Sequence, residues 1–116
     1  PKPLHIVEID AINKMVEAGL TVITVGGGGI PVVNKNGRLV GVDAVIDKDK
    51  SSAELASELN ADFLLILTAV DKVCINFNKP DQKELDEITV DRCAIITLLE
   101  KASDAVKGLT GTKIVK

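Results

Sequence analysis

The chain has 116 residues, a net charge of −3 and an isoelectric point near 5.1; 46% of it is hydrophobic, and its only aromatics are Phe63 and Phe77. Single-stranded nucleic acid needs aromatic stacking platforms and a basic surface, so this acidic, aliphatic composition argues against a nucleic-acid partner. No apolar run approaches the ~18 residues of a membrane span, and the opening PKPLHIVEID lacks the charged-then-apolar layout of a secretion signal, which predicts a soluble, cytoplasmic protein without a membrane partner.

The length suits one modest domain or a piece of a larger one. Cys74 and Cys93 have no CxxC spacing and no histidine beside them, so they read as reduced, packed thiols rather than metal ligands. The single histidine, His5, stands near the start of the chain, where a Ser-His-Asp triad or a histidine-based metal site is hard to build.

In chain order, Ile9, Ile12 and Val16, with Met15 beside them, recur at helical spacing, and Gly19 stands where a left-handed C-cap belongs. The run Thr21 to Val25 is apolar enough to predict a parallel strand buried on both faces. It ends in four consecutive glycines, Gly26 to Gly29, followed by Ile30-Pro31. Residues without Cβ take positive φ freely, turn N–H groups toward one point and let an anion approach the main chain. The same glycines also fit a permissive turn at a strand end. They match neither the Walker pattern nor the dinucleotide fingerprint, since no Lys-Ser/Thr follows and Pro31-Val32-Val33 makes an immediate helix unfavourable.

Val32-Val33 and Arg38 to Val42 flank Asn34-Lys35-Asn36-Gly37, whose Asn-Gly pair predicts a tight hairpin. A dense charge cluster follows, Asp47-Lys48-Asp49-Lys50, and then a helix marked by Ser51 with Glu54 three residues on, a capping-box spacing. Phe63 to Leu67 reads as the next buried strand, and Thr68-Ala69-Val70-Asp71 as the loop at its carboxyl end, where open α/β sheets bind ligands. Val73 to Phe77 predicts a short strand, Asn78 to Asp81 a turn, Lys83 to Ile88 a polar connection, Ala94 to Thr97 a buried strand, Leu98 to Val106 a helix closed by Gly108, and Thr112 to Val115 a last strand. Alternating strands and helices argue for an α/β fold, a three-layer αβα sandwich around a mostly parallel sheet.

Lys48 and Asp49 are the residues on which chemistry would rest. One reading makes them a solvated helix N-terminus, where acids are favoured by the macrodipole. The other pairs a lysine able to reach an anion held by the glycines with an aspartate able to orient it, in a region without a histidine base. That inventory suits phosphoryl transfer, in which positioning and charge neutralisation do most of the catalysis. Asp47 is a weaker candidate for the orienting role or for Mg²⁺.

The segments VEAGLTVITVGGGGIPVV, GVDAVIDKDKSSAELASELNAD, LLILTAVDKV, INFNKPDQKEL and AIITLLEKASDAVKGLTGTKIV resemble the carbamate kinases of the amino acid kinase family, in that family's order and over nearly the whole chain. The resemblance implies reversible phosphoryl transfer between carbamoyl phosphate and MgADP, giving ATP and carbamate, the ATP-yielding step of arginine fermentation in many microbes. It implies Gly26, Gly27, Gly28 and Gly29 at the substrate and phosphoryl group, Lys48 and Asp49 as active-site lysine and organising aspartate, and Thr68, Val70 and Asp71 in the nucleotide pocket. The cofactor implied is Mg²⁺ with ATP or ADP, no metal-ligand set being assigned to the chain itself, and the assembly implied is a homodimer.

Several features depart from the family pattern. A whole carbamate kinase is more than twice as long, so residues 1–116 correspond to a single partial domain, a C-terminal nucleotide-binding lobe. Between Arg92 and Cys93 the family carries a long insert whose Gly-Ser-Met-Gly-Pro-Lys-like motif supplies a further lysine; here TVDR runs straight into CAIIT, which predicts a missing segment between 92 and 93 and a fragment inactive by itself. The family has an acidic residue where Ala69 stands and an aromatic where Cys74 stands. Two other assignments compete: a sister enzyme of the family, or a non-catalytic nucleotide-binding or dimerisation module.

Overall fold

The computed structural model describes residues 1–89 and 94–115. Cys93 and the 92–93 junction lie outside the described residues. The chain divides into two compact units, Pro1–Ala61 and Asp62–Lys116.

The first unit opens with helix α1 (Ile9–Glu17), which buries Ile9 and Ile12 as its apolar spacing predicts. Gly19 closes it at φ +79°, with the Gly19 N–H donating to Val16 O and the Leu20 N–H to Met15 O. Strands β1 (Val32–Lys35) and β2 (Arg38–Gly41) form the antiparallel hairpin that Asn36-Gly37 predicts. Both turn residues have positive φ, 53° and 83°, and the Asn34 side chain accepts from the Gly37 N–H at 2.8 Å. Helix α2 (Lys48–Glu58) follows. Glu58, in its last turn, holds the N-terminal segment: Oε1 accepts from the Ile6 N–H at 2.6 Å, and Oε2 lies 2.7 Å from His5 Nδ1.

Two expectations are corrected here. Thr21 to Val25 forms no strand, and among the described residues no strand pairs with it. Ile23 is 98% exposed. A β-branched run has the propensity for a buried strand, but only neighbouring strands can satisfy its backbone and cover both its faces. The second correction concerns α2, whose N-cap is Asp47 and not Ser51. The Asp47 carboxylate accepts from the Asp49 N–H at 3.0 Å and the Lys50 N–H at 3.2 Å, so the helix starts before the Ser51-Glu54 pair.

In the second unit a four-stranded sheet has the order β3-β7-β8-β6, from β3 (Leu64–Thr68), β6 (Glu87–Thr89), β7 (Ala94–Leu98) and β8 (Thr112–Val115). It is mixed: β3 runs parallel to β7 and β6 parallel to β8, whereas β7 and β8 are antiparallel. The connection read as polar over Lys83 to Ile88 is instead two short strands. β5 (Lys83–Leu85) pairs antiparallel with β4 (Val73–Ile75), and β6 joins the sheet edge. Three-residue strands rich in charge leave almost no alternation to read. Helix α3 (Ala102–Val106), entered through a 3₁₀ turn at Leu99–Lys101, packs on β7 with Ala105 fully buried, and Gly108 at φ +78° ends it as predicted. Among the described residues no helix is long and apolar enough to cross a membrane.

Candidate functional site

Within the first unit the glycine loop and the start of α2 meet. Val25, a β-branched residue, is turned to φ +67°, and Gly26, Gly28 and Gly29 follow at +54°, +129° and +87°. Val25 is thereby strained at the entrance to the loop, since side chains branched at Cβ rarely adopt positive φ. The Gly26 N–H donates to Thr24 O and the Gly28 N–H to Val25 O. The Gly27 and Gly29 N–H groups donate to no acceptor among the described residues, which leaves two main-chain donors in the loop unspent.

Gly28 is buried where the loop touches the next element. A Cβ there would stand 2.0 Å from Ile46 O and 3.4 Å from the Lys48 N, so only glycine lets the two backbones approach this closely. The Gly28 carbonyl in turn accepts from the Ser51 hydroxyl at 2.7 Å, and Ser51 is 1% exposed. The structure thus brings Gly28, at the centre of the glycine loop, against the residues that begin α2, the positive end of a helix. Lys48, Asp49 and Lys50 occupy its exposed first turn. Lys48 Nζ lies 4.0 Å from Asp49 Oδ1, the separation of a loose ion pair and not of a hydrogen bond. Hydrogen bonds from the Lys50 and Asp49 amides, aided by the nearby Lys48 and Lys50 ammonium groups, hold the Asp47 carboxyl below the ordinary aspartate range.

Thr68, Val70 and Asp71 belong to the second unit, at the carboxyl end of β3 and in the loop that leaves it. Asp71 Oδ2 accepts from Lys101 Nζ at 2.6 Å and Oδ1 from the Thr110 hydroxyl at 3.0 Å. The Lys101 hydrogen bond, then that of Thr110, keeps its carboxyl below the ordinary range. Both carboxylate oxygens therefore have protein partners, and Asp71 ties its loop to the 3₁₀ turn and to the segment before β8. Beside it Lys72 pairs with Asp86, which raises the lysine above its usual value. Cys74 is a half-buried free thiol whose Sγ accepts from Gln82 Nε2 at 3.6 Å. Among the described residues no three His, Cys, Asp or Glu side chains cluster as a metal centre.

Ser51, Lys101 and Thr110 escape a reading of the sequence. Ser51 imitates the first residue of a capping box, and its partner lies 23 positions earlier. Asp47 did carry a local signal, an aspartate two and three positions before amides that have no intrahelical acceptor.

The model of the amino acid kinase family matches residues 1–116, and the chain belongs to that family. Its similarity runs to carbamate kinases. It is 47% identical over 148 residues to the carbamate kinase of Clostridium perfringens, covering 100% of this chain and 47% of that protein. It is 57% identical over 91 residues to the carbamate kinase of Staphylococcus haemolyticus, covering 78% of this chain and 29% of that one. Among solved structures, carbamate kinase from Giardia lamblia bound to AMP-PNP matches with a TM-score of 0.94 and 37% identity, over 100% of this chain and 52% of that chain. The chain spans about half the length, or less, of the relatives it matches.

Proposed function

We propose that this chain is the C-terminal, nucleotide-binding portion of a carbamate kinase, which transfers a phosphoryl group reversibly between carbamoyl phosphate and MgADP to give ATP and carbamate. The observation that carries the reading is the packing of Gly28 against Ile46 and the Lys48 amide, which joins a glycine loop with two unspent N–H donors to a helix start bearing a lysine. Backbone amides at a helix's positive end bind anions, and phosphoryl transfer is accelerated chiefly by positioning and by neutralising the moving charge. In this assignment the Gly27 and Gly29 amides hold substrate oxygens and the Lys48 ammonium neutralises the equatorial oxygens of the transferred group. Asp49 restrains the lysine from 4.0 Å.

Thr68 and Val70 border the nucleotide, and Asp71, its carboxylate held by Lys101 and Thr110, shapes the loop that carries them. Binding of AMP-PNP by the Giardia relative supports a nucleotide as substrate. Mg²⁺ enters on the nucleotide's phosphates as MgADP or MgATP. The complete enzyme is assigned a three-layer αβα architecture, a cytoplasmic location, a homodimeric assembly and a place in arginine breakdown. The match to the Clostridium perfringens relative extends over 148 residues against the 116 present, which supports a segment absent from this chain; we assign it to the 92–93 junction, and with it an inactive fragment.

The test is ATP formation from carbamoyl phosphate and MgADP, assayed on the 116-residue chain and on a longer polypeptide that restores the relatives' remaining length. Turnover by the longer protein, abolished by Lys48→Ala, supports the assignment. Phosphorylation of an amino-acid carboxylate without ATP synthesis from carbamoyl phosphate would move the chain to a sister enzyme. ADP binding with no turnover in either protein would make it a non-catalytic nucleotide-binding module.

A further inference from the structure

We infer that Ser51 is a positioning residue for the glycine loop, fixing the loop's anion-binding conformation from inside the first turns of α2; the inference rests on the reading of that loop as a phosphate cradle. Ser51 sits one turn into α2, 1% exposed, and its hydroxyl is spent on Gly28 O at 2.7 Å and not on a carbonyl of its own helix. Ser52, its exposed neighbour, makes the ordinary choice: its hydroxyl donates back to Lys48 O at 2.8 Å. The contrast matters because a buried serine that reaches across 23 residues satisfies a carbonyl that the loop cannot satisfy itself.

What that bond fixes is orientation. Gly28 is the pivot of the loop, with φ +129° and its backbone jammed against Ile46 O. The Gly27 and Gly29 peptides on either side carry the two N–H groups that no described acceptor uses. Rotation of the Gly28 peptide would swing the Gly29 N–H, because the Gly28 carbonyl and the Gly29 amide belong to one planar unit. Glycines resist such rotation weakly. Holding Gly28 O through Ser51 therefore aims the Gly29 N–H, and the ordering entropy is met before an anion arrives.

The experiment is a titration of the ¹⁵N-labelled 116-residue chain with inorganic phosphate, following the amides of Gly26 to Gly29, in the wild type and in Ser51→Ala, Ser51→Cys and Ser51→Thr. Loss of one buried hydrogen bond predicts phosphate binding about tenfold weaker in Ser51→Ala, together with exchange broadening of the Gly29 amide resonance as the loop samples other orientations. Ser51→Thr, which keeps the hydroxyl, restores both. A purely structural serine would alter global stability without changing phosphate affinity in the folded protein, and wild-type affinity in folded Ser51→Ala overturns the inference. If Ser51→Ala fails to fold, Ser51→Cys keeps the volume with a weaker donor, and wild-type affinity there overturns it equally. Glycine amides that ignore phosphate in the wild-type chain would instead sink the cradle reading, a result distinct from failure of the Ser51 role.

Discussion

Gly28 and Ile46 approach so closely that a methyl group on the Gly28 Cα would lie 2.0 Å from the Ile46 carbonyl oxygen. Neither partner is a flexible side chain, so the contact cannot be relieved without moving one backbone. Gly28→Ala is accordingly expected to cost about 2–3 kcal/mol, through overpacking and through the positive φ, measured by urea denaturation of the 116-residue chain. Gly27 differs on both counts: nothing lies within 4 Å of the position its Cβ would take, and its φ is not in the glycine-favouring region. Gly27→Val should leave stability within ~0.5 kcal/mol while obstructing the approach of phosphate to the loop. Equal loss of stability in both variants would contradict this division between a packing glycine and a ligand-facing one.

Asp47 begins α2 by accepting from two amides of its first turn, and this sets a pH dependence. Its carboxyl is held below the ordinary aspartate range by those bonds, first that of Lys50, so folding favours the ionised form. The stabilisation is present in full above the ordinary aspartate range and declines as the pH falls through and below it. Asp47→Asn should retain most of the cap and lose this acid-side dependence, whereas Asp47→Ala should lose the cap at every pH. Thermal midpoints of the three proteins between neutral pH and pH 3 measure it; parallel curves for wild type and Asp47→Asn would exclude the proposed linkage.

Sequence patterns were informative where the determining physics is local. The Asn36-Gly37 hairpin, the Gly19 and Gly108 helix ends, and the apolar runs that become β3 and β7 each follow from a few adjacent residues, although Phe63 to Leu67 is not buried as expected, Phe63 and Leu67 being 44% and 42% exposed. Thr21 to Val25 failed for the opposite reason: its propensity is right, but strand formation depends on neighbours that lie elsewhere in a chain. The site divides in the same way. Gly26 to Gly29 and Lys48-Asp49 stand out by composition, while the packing of Gly28 on Ile46 and Ser51 depends on contacts between positions 18 and 23 apart that no periodicity encodes. Asp71 is visible as an acid at a strand's end, but its partners Lys101 and Thr110 are 30 and 39 residues away.

Two buried threonines in the second unit make opposite predictions. The Thr112 hydroxyl, fully buried, accepts from the Val73 N–H at 2.8 Å and donates to Leu85 O, joining β8 to the β4-β5 pair. Thr112→Val keeps the shape but strands both main-chain groups, which should destabilise the protein by about 2 kcal/mol. Thr97 is equally buried, yet its Oγ1 finds no partner among the described residues. Thr97→Val removes an unsatisfied polar atom at constant volume and should be neutral or stabilising by about 1 kcal/mol. Chemical denaturation of both variants decides the matter, and a Thr97→Val protein much weaker than wild type would show that its hydroxyl has a role in folding.

Lys48 is the residue on which the phosphoryl-transfer reading depends most directly. It sits in the exposed first turn of α2, one position after the capping Asp47 and with its amide against Gly28, and its ammonium is only loosely engaged by Asp49 at 4.0 Å. A lysine so placed contributes little to folding, because exposed ion pairs of this separation are nearly neutral for stability. Its value to catalysis would come from charge that develops only as the phosphoryl group moves. If the longer polypeptide makes ATP from carbamoyl phosphate as proposed, Lys48→Ala in it should therefore lower kcat by about 10² or more with little change in ADP affinity or denaturation midpoint. Asp49→Asn should produce a smaller loss, since it would loosen the lysine without removing its charge. A kcat unchanged in Lys48→Ala would remove the lysine from the reaction and leave the charged start of α2 as a solvated helix end.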